Sequence, residues 1–187
     1  GASADFTVSG DILLWKANAE GRQEHVVKIG AGTMLLQGRT DFTNTVIQVK
    51  GGMLALGANG TFTKDHDLSL EGGGVLGTAN TANDVGVVQL KADSPVAVES
   101  GAALRFADSS AADWASGATL SVTIPTNATG RLQGSVSFGT DANGLTQAQL
   151  RQVRINGHRA LLTDSGALEP PVGICVMRTA ESVLLTC

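Results

Sequence analysis

The chain has 187 residues, of which 42% are hydrophobic and only 16% are charged, and its formal net charge is −4. This length fits one domain with a sizeable core, the lack of a basic patch argues against nucleic-acid binding, and the apolar runs are too short to span a membrane as a helix. Twenty-four glycines without a collagen period, together with no tyrosine, indicate a turn-rich β protein.

The N-terminal residues 4–16 alternate apolar and polar positions, as strands do. Trp15 follows Leu14 and therefore points to the opposite side of such a strand. There its ring could stack on the face of a sugar, or it could cover the end of the apolar core. Both interpretations of Trp15 are open from the sequence.

Residues 26–62 consist of short apolar runs between glycine-bearing turns. The runs are too short for helices and are rich in β-branched and aliphatic residues, so they predict strands. Related segments start at Ile47, Leu68 and Val96, and their turn glycines, Gly52, Gly73 and Gly101, are spaced 21 and 28 residues apart. Repeats of this length predict an all-β fold of stacked coils, a β-solenoid (β-helix) of short strands. A sandwich built of hairpins is the alternative.

The segment KIGAGTMLLQG and, after five further residues, the segment NTVIQVKGGMLALG together resemble the autotransporter-associated β-strand repeat. The matching residues are Lys28, Gly30, Gly32, Thr33, Leu35, Gly38, Thr45, Val49, Gly52, Leu54 and Gly57. The turn at residues 40–44 departs from the Thr-Tyr-Thr-Gly-Gly that is usual there. The resemblance implies a right-handed β-helix from the stalk or passenger part of a secreted or surface bacterial protein, and it implies no catalytic activity.

Two polar segments follow that could carry a site. Asp65, His66 and Asp67 suggest a metal or acid–base group, but alternation would place the histidine on the opposite side from the carboxylates, so a solvated turn is the simpler interpretation. Residues 78–84 are predicted to form a surface loop. Its side chains Asn80, Asn83 and Asp84 are of the kind that contact sugar hydroxyls, and equally of the kind that close turns.

Trp114 lies within a loop of small and polar residues, 109–117. It is a candidate for an exposed ring that stacks on a sugar. The alternative is a packed anchor that holds the loop to the core.

The C-terminal part changes character. Thr146 and Gln149 form a capping box, which predicts a short helix over about 147–152. Asn156-Gly157 between apolar residues predicts a hairpin with a type I′ turn. The order of motifs is similar to the closing segment that often follows such repeats in exported bacterial proteins, carried here by Phe138-Gly139-Thr140, Gly144-Leu145-Thr146, Gln149-Leu150, Ala160-Leu161-Leu162, Asp164, Gly166, Leu168 and Pro170. We therefore expect solenoid coils over 1–140 and a helix-plus-hairpin cap over 141–187, in one continuous domain.

Cys175 and Cys187 flank a predicted terminal hairpin and could form a disulfide, as is common in exported proteins. The alternative is two unlinked thiols. No metal is expected there, because two cysteines without a nearby histidine are not a zinc ligand set.

No nucleophile elbow, P-loop, zinc-protease motif or dinucleotide loop occurs in the sequence. The expected function is that of a non-catalytic module of a larger secreted or cell-surface protein, without a cofactor, which binds a polysaccharide or other glycan through Trp15, Trp114, Asn80, Asn83 and Asp84 or presents neighbouring domains. A stalk or spacer without a small ligand is the alternative, and a polysaccharide lyase or hydrolase is a third.

Overall fold

The computed structural model describes residues 5–10, 12–13, 25–41 and 45–171. Short strands dominate this part of the chain, which confirms the prediction of a mostly β protein. The strands are β1 Phe6–Val8, β2 Ile12–Leu13, β3 His25–Lys28, β4 Thr33–Leu36, β5 Thr40–Asp41, β6 Thr45–Val49, β7 Met53–Leu56, β8 His66–Leu70, β9 Gly74–Gly77, β10 Ala82–Val85, β11 Val88–Leu90, β12 Ser94–Val98, β13 Ala103–Phe106, β14 Leu120–Thr123, β15 Ser135–Phe138, β16 Val153–Ile155, β17 His158–Arg159, β18 Leu161–Leu162 and β19 Leu168–Glu169. Among the described residues there is one helix, α1, which spans Gln147–Gln152.

Almost all strand pairs are parallel. The paired segments are most often about 21 residues apart, as Leu54 and Val75 are, and up to 33 residues apart, as Leu120 and Val153 are. The largest sheet has the order β1-β4-β7-β9-β12-β14-β16-β17, a second has the order β11-β8-β6-β3, and a third has the order β10-β13-β15. Successive segments of the chain therefore pass through the sheets in the same order. We call these segments rungs: 33–49, 53–70, 74–90, 94–114 and 120–138.

The core lies between the sheets and is built from columns of equivalent residues. Leu54, Val75, Val96, Val122 and Ile155 are register partners on five neighbouring strands of the largest sheet. All five side chains are buried. Side chains alternate across a strand, and in each rung the aliphatic residues occupy the positions that point inward. Each inward aliphatic group therefore lies above its register partner in the preceding rung.

The hairpin that the sequence predicts lies at one edge of the largest sheet, and the predicted helix α1 directly precedes it. The Thr146 hydroxyl caps α1 by accepting a hydrogen bond from the amide of Gln149. The Gln149 side-chain oxygen in turn accepts a hydrogen bond from the amide of Thr146. Strands β16 and β17 pair in antiparallel fashion, and both turn residues, Asn156 and Gly157, have positive φ values of 49° and 83°. Positive φ at both positions is the requirement of a type I′ turn.

Candidate functional site

The outward face of the three-stranded sheet presents charged and polar side chains on successive rungs. Asp84 on β10 is the register partner of Arg105 on β13, which in turn is the partner of Ser137 on β15. Their neighbours along each strand are buried apolar or amide side chains that point into the core. The alternation that fills the core therefore also directs Asp84 and Arg105 into solvent.

Asp84 and Arg105 form an ion pair, with 2.5 Å between Oδ1 of the aspartate and Nε of the arginine. About half of each side chain is exposed. The hydrogen bond to Asp84 raises the pKa of Arg105, so the guanidinium stays charged. An ion pair this exposed contributes at most about 1 kcal/mol to folding. Asp84 and Arg105 can therefore separate and form hydrogen bonds to a ligand at little cost to stability.

A groove of about 720 Å³ runs past this pair. It is formed by the segment before β8, by β10 and β13, and by the turns that follow β13 and β15. Its lining residues are Gly60, Phe62, Thr63, Lys64, Asp84, Val85, Arg105, Phe106, Ala107, Asp108, Gly139, Thr140 and Asp141. The groove thus crosses four successive rungs.

The charged groups of the groove are held by local backbone contacts. The Asp108 carboxylate accepts a hydrogen bond of 2.9 Å from the amide of Ser110, and the bonds from Ser110 lower the pKa of Asp108. The Asp141 carboxylate accepts a bond of 2.7 Å from the amide of Asn143. The two phenylalanines that line the groove are almost completely buried. The lining therefore offers acceptors, cationic donors and hydroxyls, but no exposed aromatic face.

The structure corrects the prediction of a surface loop over residues 78–84. Residues 82–85 form β10, and Asn83 is fully buried inside it. Its Oδ1 accepts from the amide of Phe62 at 3.1 Å, and its Nδ2 donates to the carbonyl of Ala58 at 3.1 Å. Asn83 therefore satisfies backbone groups of the preceding rung and cannot reach a ligand.

Of the other two residues expected in that loop, only one reaches the groove. Asn80 is exposed and occupies a turn with a φ of 58°, which asparagine tolerates better than most residues. It does not line the groove. Asp84 does, and it is thus the only residue of the three that the structure assigns to a candidate site.

The interpretation of Trp114 as an exposed ring is wrong. The side chain is buried, with 9% of its surface exposed, and its Nε1 donates to the carbonyl of Val88 at 2.9 Å. Its ring meets that of Phe138 edge to face at 6.3 Å between centroids. Trp114 is an anchor of its loop, the alternative that the sequence left open. Trp15, Cys175 and Cys187 lie outside the described residues.

The Asp65-His66-Asp67 segment forms no site. His66 is buried, its Nδ1 accepts from the amide of Thr63 at 2.8 Å, and its ring stacks on Phe62. The Asp67 carboxylate accepts a hydrogen bond of 2.8 Å from the amide of Val87. Over the part of the chain that the structure describes, no three histidine, cysteine or carboxylate side chains are grouped so that they could hold a metal ion.

Four charged residues of the groove were not predicted from the sequence to belong to one site: Lys64, Arg105, Asp108 and Asp141. The usable signal was the rung spacing: Arg105 follows Asp84 by 21 residues. A charged residue of opposite sign at the repeat distance predicts neighbours on adjacent parallel strands.

No family model, no curated protein and no solved structure matches this chain. In the described ranges, no helix has the length and apolar character needed to cross a membrane.

Proposed function

We propose that this chain is a right-handed β-solenoid module of a larger secreted or surface-exposed bacterial protein, and that it binds glycan in the groove beside Asp84 and Arg105. The solenoid proposal is supported by the parallel pairing of strands one repeat apart and by the columns of buried aliphatic residues. Export rests on the resemblance of residues 25–62 to the autotransporter-associated repeat.

The observation that carries the glycan proposal is the exposed ion pair inside a groove that crosses four rungs. Sugar hydroxyls both donate and accept hydrogen bonds, and carboxylates and guanidinium groups supply the complementary partners. A site of this size with a few convergent polar groups is the usual form of a small-ligand site.

The groove also contains what an enzyme of the lyase or hydrolase kind would need, namely carboxylates next to cations. A hydrolase needs a carboxyl group whose pKa is raised, so that it can donate a proton near neutral pH. The hydrogen bonds from Ser110 lower the pKa of Asp108 instead. Asp108 is therefore unsuited to act as the general acid of a hydrolase.

The second candidate function is that of a spacer. Ion pairs bridge neighbouring rungs elsewhere on the surface, between Lys50 and Glu71 at 3.5 Å and between Lys91 and Asp113 at 2.9 Å. Asp84 and Arg105 repeat this arrangement on another sheet, and in a spacer they would have no further role.

A glycan array probed with the purified chain separates the two functions. We expect binding to at least one glycan, and loss of that binding in the double variant Asp84→Ala/Arg105→Ala. The matched control is Lys50→Ala/Glu71→Ala, which removes an exposed ion pair outside the groove and should leave binding unchanged. Absence of binding to every glycan would favour the spacer, and release of shorter products from a bound glycan would favour the enzyme.

A further inference from the structure

We propose that the groove selects uncharged, linear glycans that lie along the direction in which the rungs stack. This inference rests on the proposed function and specifies its ligand class. It follows from three properties of the groove: the balance of charge, the direction of its long axis and the absence of an exposed aromatic face.

The charge balance of the groove disfavours polyanions. Its lining contains three carboxylates, on Asp84, Asp108 and Asp141, against two cations, on Lys64 and Arg105. Arg105 is already paired with Asp84, and the bonds from Ser110 keep Asp108 ionised to lower pH than an ordinary aspartate. A uronate or sulfate group would therefore meet a lining with a net negative charge, and like charges close together repel each other. The hydroxyls of a neutral sugar can instead donate to the same carboxylates.

The direction of the groove follows from the register of the sheet. Thr63 and Lys64 precede β8, Asp84 lies on β10, Arg105 and Asp108 lie on and after β13, and Thr140 and Asp141 follow β15. Neighbouring strands are about 4.8 Å apart, so these four levels extend over about 14 Å. An extended oligosaccharide laid across the strands would meet a new set of polar groups at every level.

The lack of an exposed ring decides how the ligand is held. Phe62 and Phe106 are 1% and 2% exposed, so neither presents a face on which a sugar could stack. Affinity must then come from hydrogen bonds summed over several sugars. We expect the affinity to rise with oligosaccharide length until the chain spans the groove, and then to level off.

The test uses the purified chain on an array that carries neutral, uronate and sulfated oligosaccharides in matched length series, with titration calorimetry on the hits. We expect binding to be confined to neutral glycans. The variant Asp108→Lys/Asp141→Lys should weaken neutral binding at least about tenfold and admit uronates. The control Glu71→Lys/Asp113→Lys makes the same change in net charge outside the groove and should alter neither preference. Circular dichroism checks that each variant is folded.

Each outcome has a distinct meaning. Selective binding of uronate or sulfated glycans by the unmodified chain, or an affinity that does not depend on length, would overturn this inference and leave the proposed function intact. If the binding of neutral glycans is unchanged in Asp108→Lys/Asp141→Lys, the glycan binds outside the groove, and both proposals are overturned. Failure to bind any glycan would overturn both proposals.

Discussion

At the scale of single residues, the stacking of one turn on the next depends on a glycine. Gly52 lies between β6 and β7 with a φ of +63°, and a Cβ atom there would overlap the backbone carbonyl of Gly32 in the preceding rung. Gly60 has a similar φ of +66°, but nothing lies within 4 Å of the position that its Cβ would take. The two positions therefore separate the cost of backbone conformation from the cost of the close approach.

We expect Gly60→Ala to lower the free energy of unfolding by about 1 kcal/mol, the cost of a left-handed backbone for a non-glycine residue. Gly52→Ala should lower it by about 3 kcal/mol, because the overlap with Gly32 adds about 2 kcal/mol. Urea unfolding followed by circular dichroism measures both values. Equal losses in the two variants would show that the turns do not stack as closely as the structure has them.

The same scale shows why the candidate site was only partly predictable. Asn83 has the local sequence of a loop residue, and its burial depends on the amide of Phe62 and the carbonyl of Ala58, which approach it from another rung. Trp114 lies among small polar residues, and its burial likewise depends on Val88 and Phe138. Such contacts are tertiary, and no local pattern encodes them.

At the scale of elements, α1 is fastened to the loop beneath it by two glutamine side chains. Gln149 Nε2 donates to the carbonyls of Ser109 and Ala112 at 2.8 and 3.0 Å. Gln152 Nε2 donates to the carbonyls of Ala115 and Ala118, both at 2.8 Å. The helix therefore satisfies four carbonyl groups of residues 109–118 that a helix of apolar side chains would leave without these bonds.

We expect Gln149→Ala to lower the free energy of unfolding by about 2–3 kcal/mol, because it removes half of the capping box and the two hydrogen bonds to the carbonyls of Ser109 and Ala112. Gln147→Ala is the control: it changes an exposed glutamine in the same helix, and alanine is a good helix former, so its effect should be close to zero. Chemical unfolding of the two variants provides the measurement. A loss of less than about 0.5 kcal/mol for Gln149→Ala would contradict the structure of the cap.

Elements were the most predictable part of the molecule. The strands over 26–62, the helix over 147–152 and the hairpin at Asn156-Gly157 are set by glycine-bounded apolar runs, a capping box and a turn dipeptide, all of which act within a few residues. Strand β10 was missed because asparagine and aspartate at residues 83–84 have the local preference of a turn. Burial in the sheet overrode that preference.

At the scale of the whole molecule, the solenoid proposal predicts that one rung can be removed. Leu54 and Val75 are register partners, so deleting residues 54–74 joins Met53 to an equivalent position one rung later. We expect this variant to fold cooperatively with an unchanged β spectrum, since each rung contacts chiefly its neighbours. The dependence of its unfolding free energy on urea concentration should fall with the surface that the missing rung would have exposed.

Deletion of residues 54–63 is the matched control. It removes less of the chain, but it shifts the register by half a rung and places polar residues at core positions, so the product should be unfolded. If both deletions fold equally well, or if neither folds, the repeating organisation is not what holds the protein together.

The spacing of about 20 to 33 residues between parallel strand partners has a consequence for how the chain reaches its fold. Parallel sheets are slow to form when their strands are distant in sequence, because a long loop must close before any contact compensates its entropy. Here each added rung closes a loop of about 20 to 33 residues onto an edge that already exists. The entropic cost is thus divided among steps that each close one loop of this size. Folding can start at α1 and the β16–β17 hairpin and advance towards the N-terminus one rung at a time.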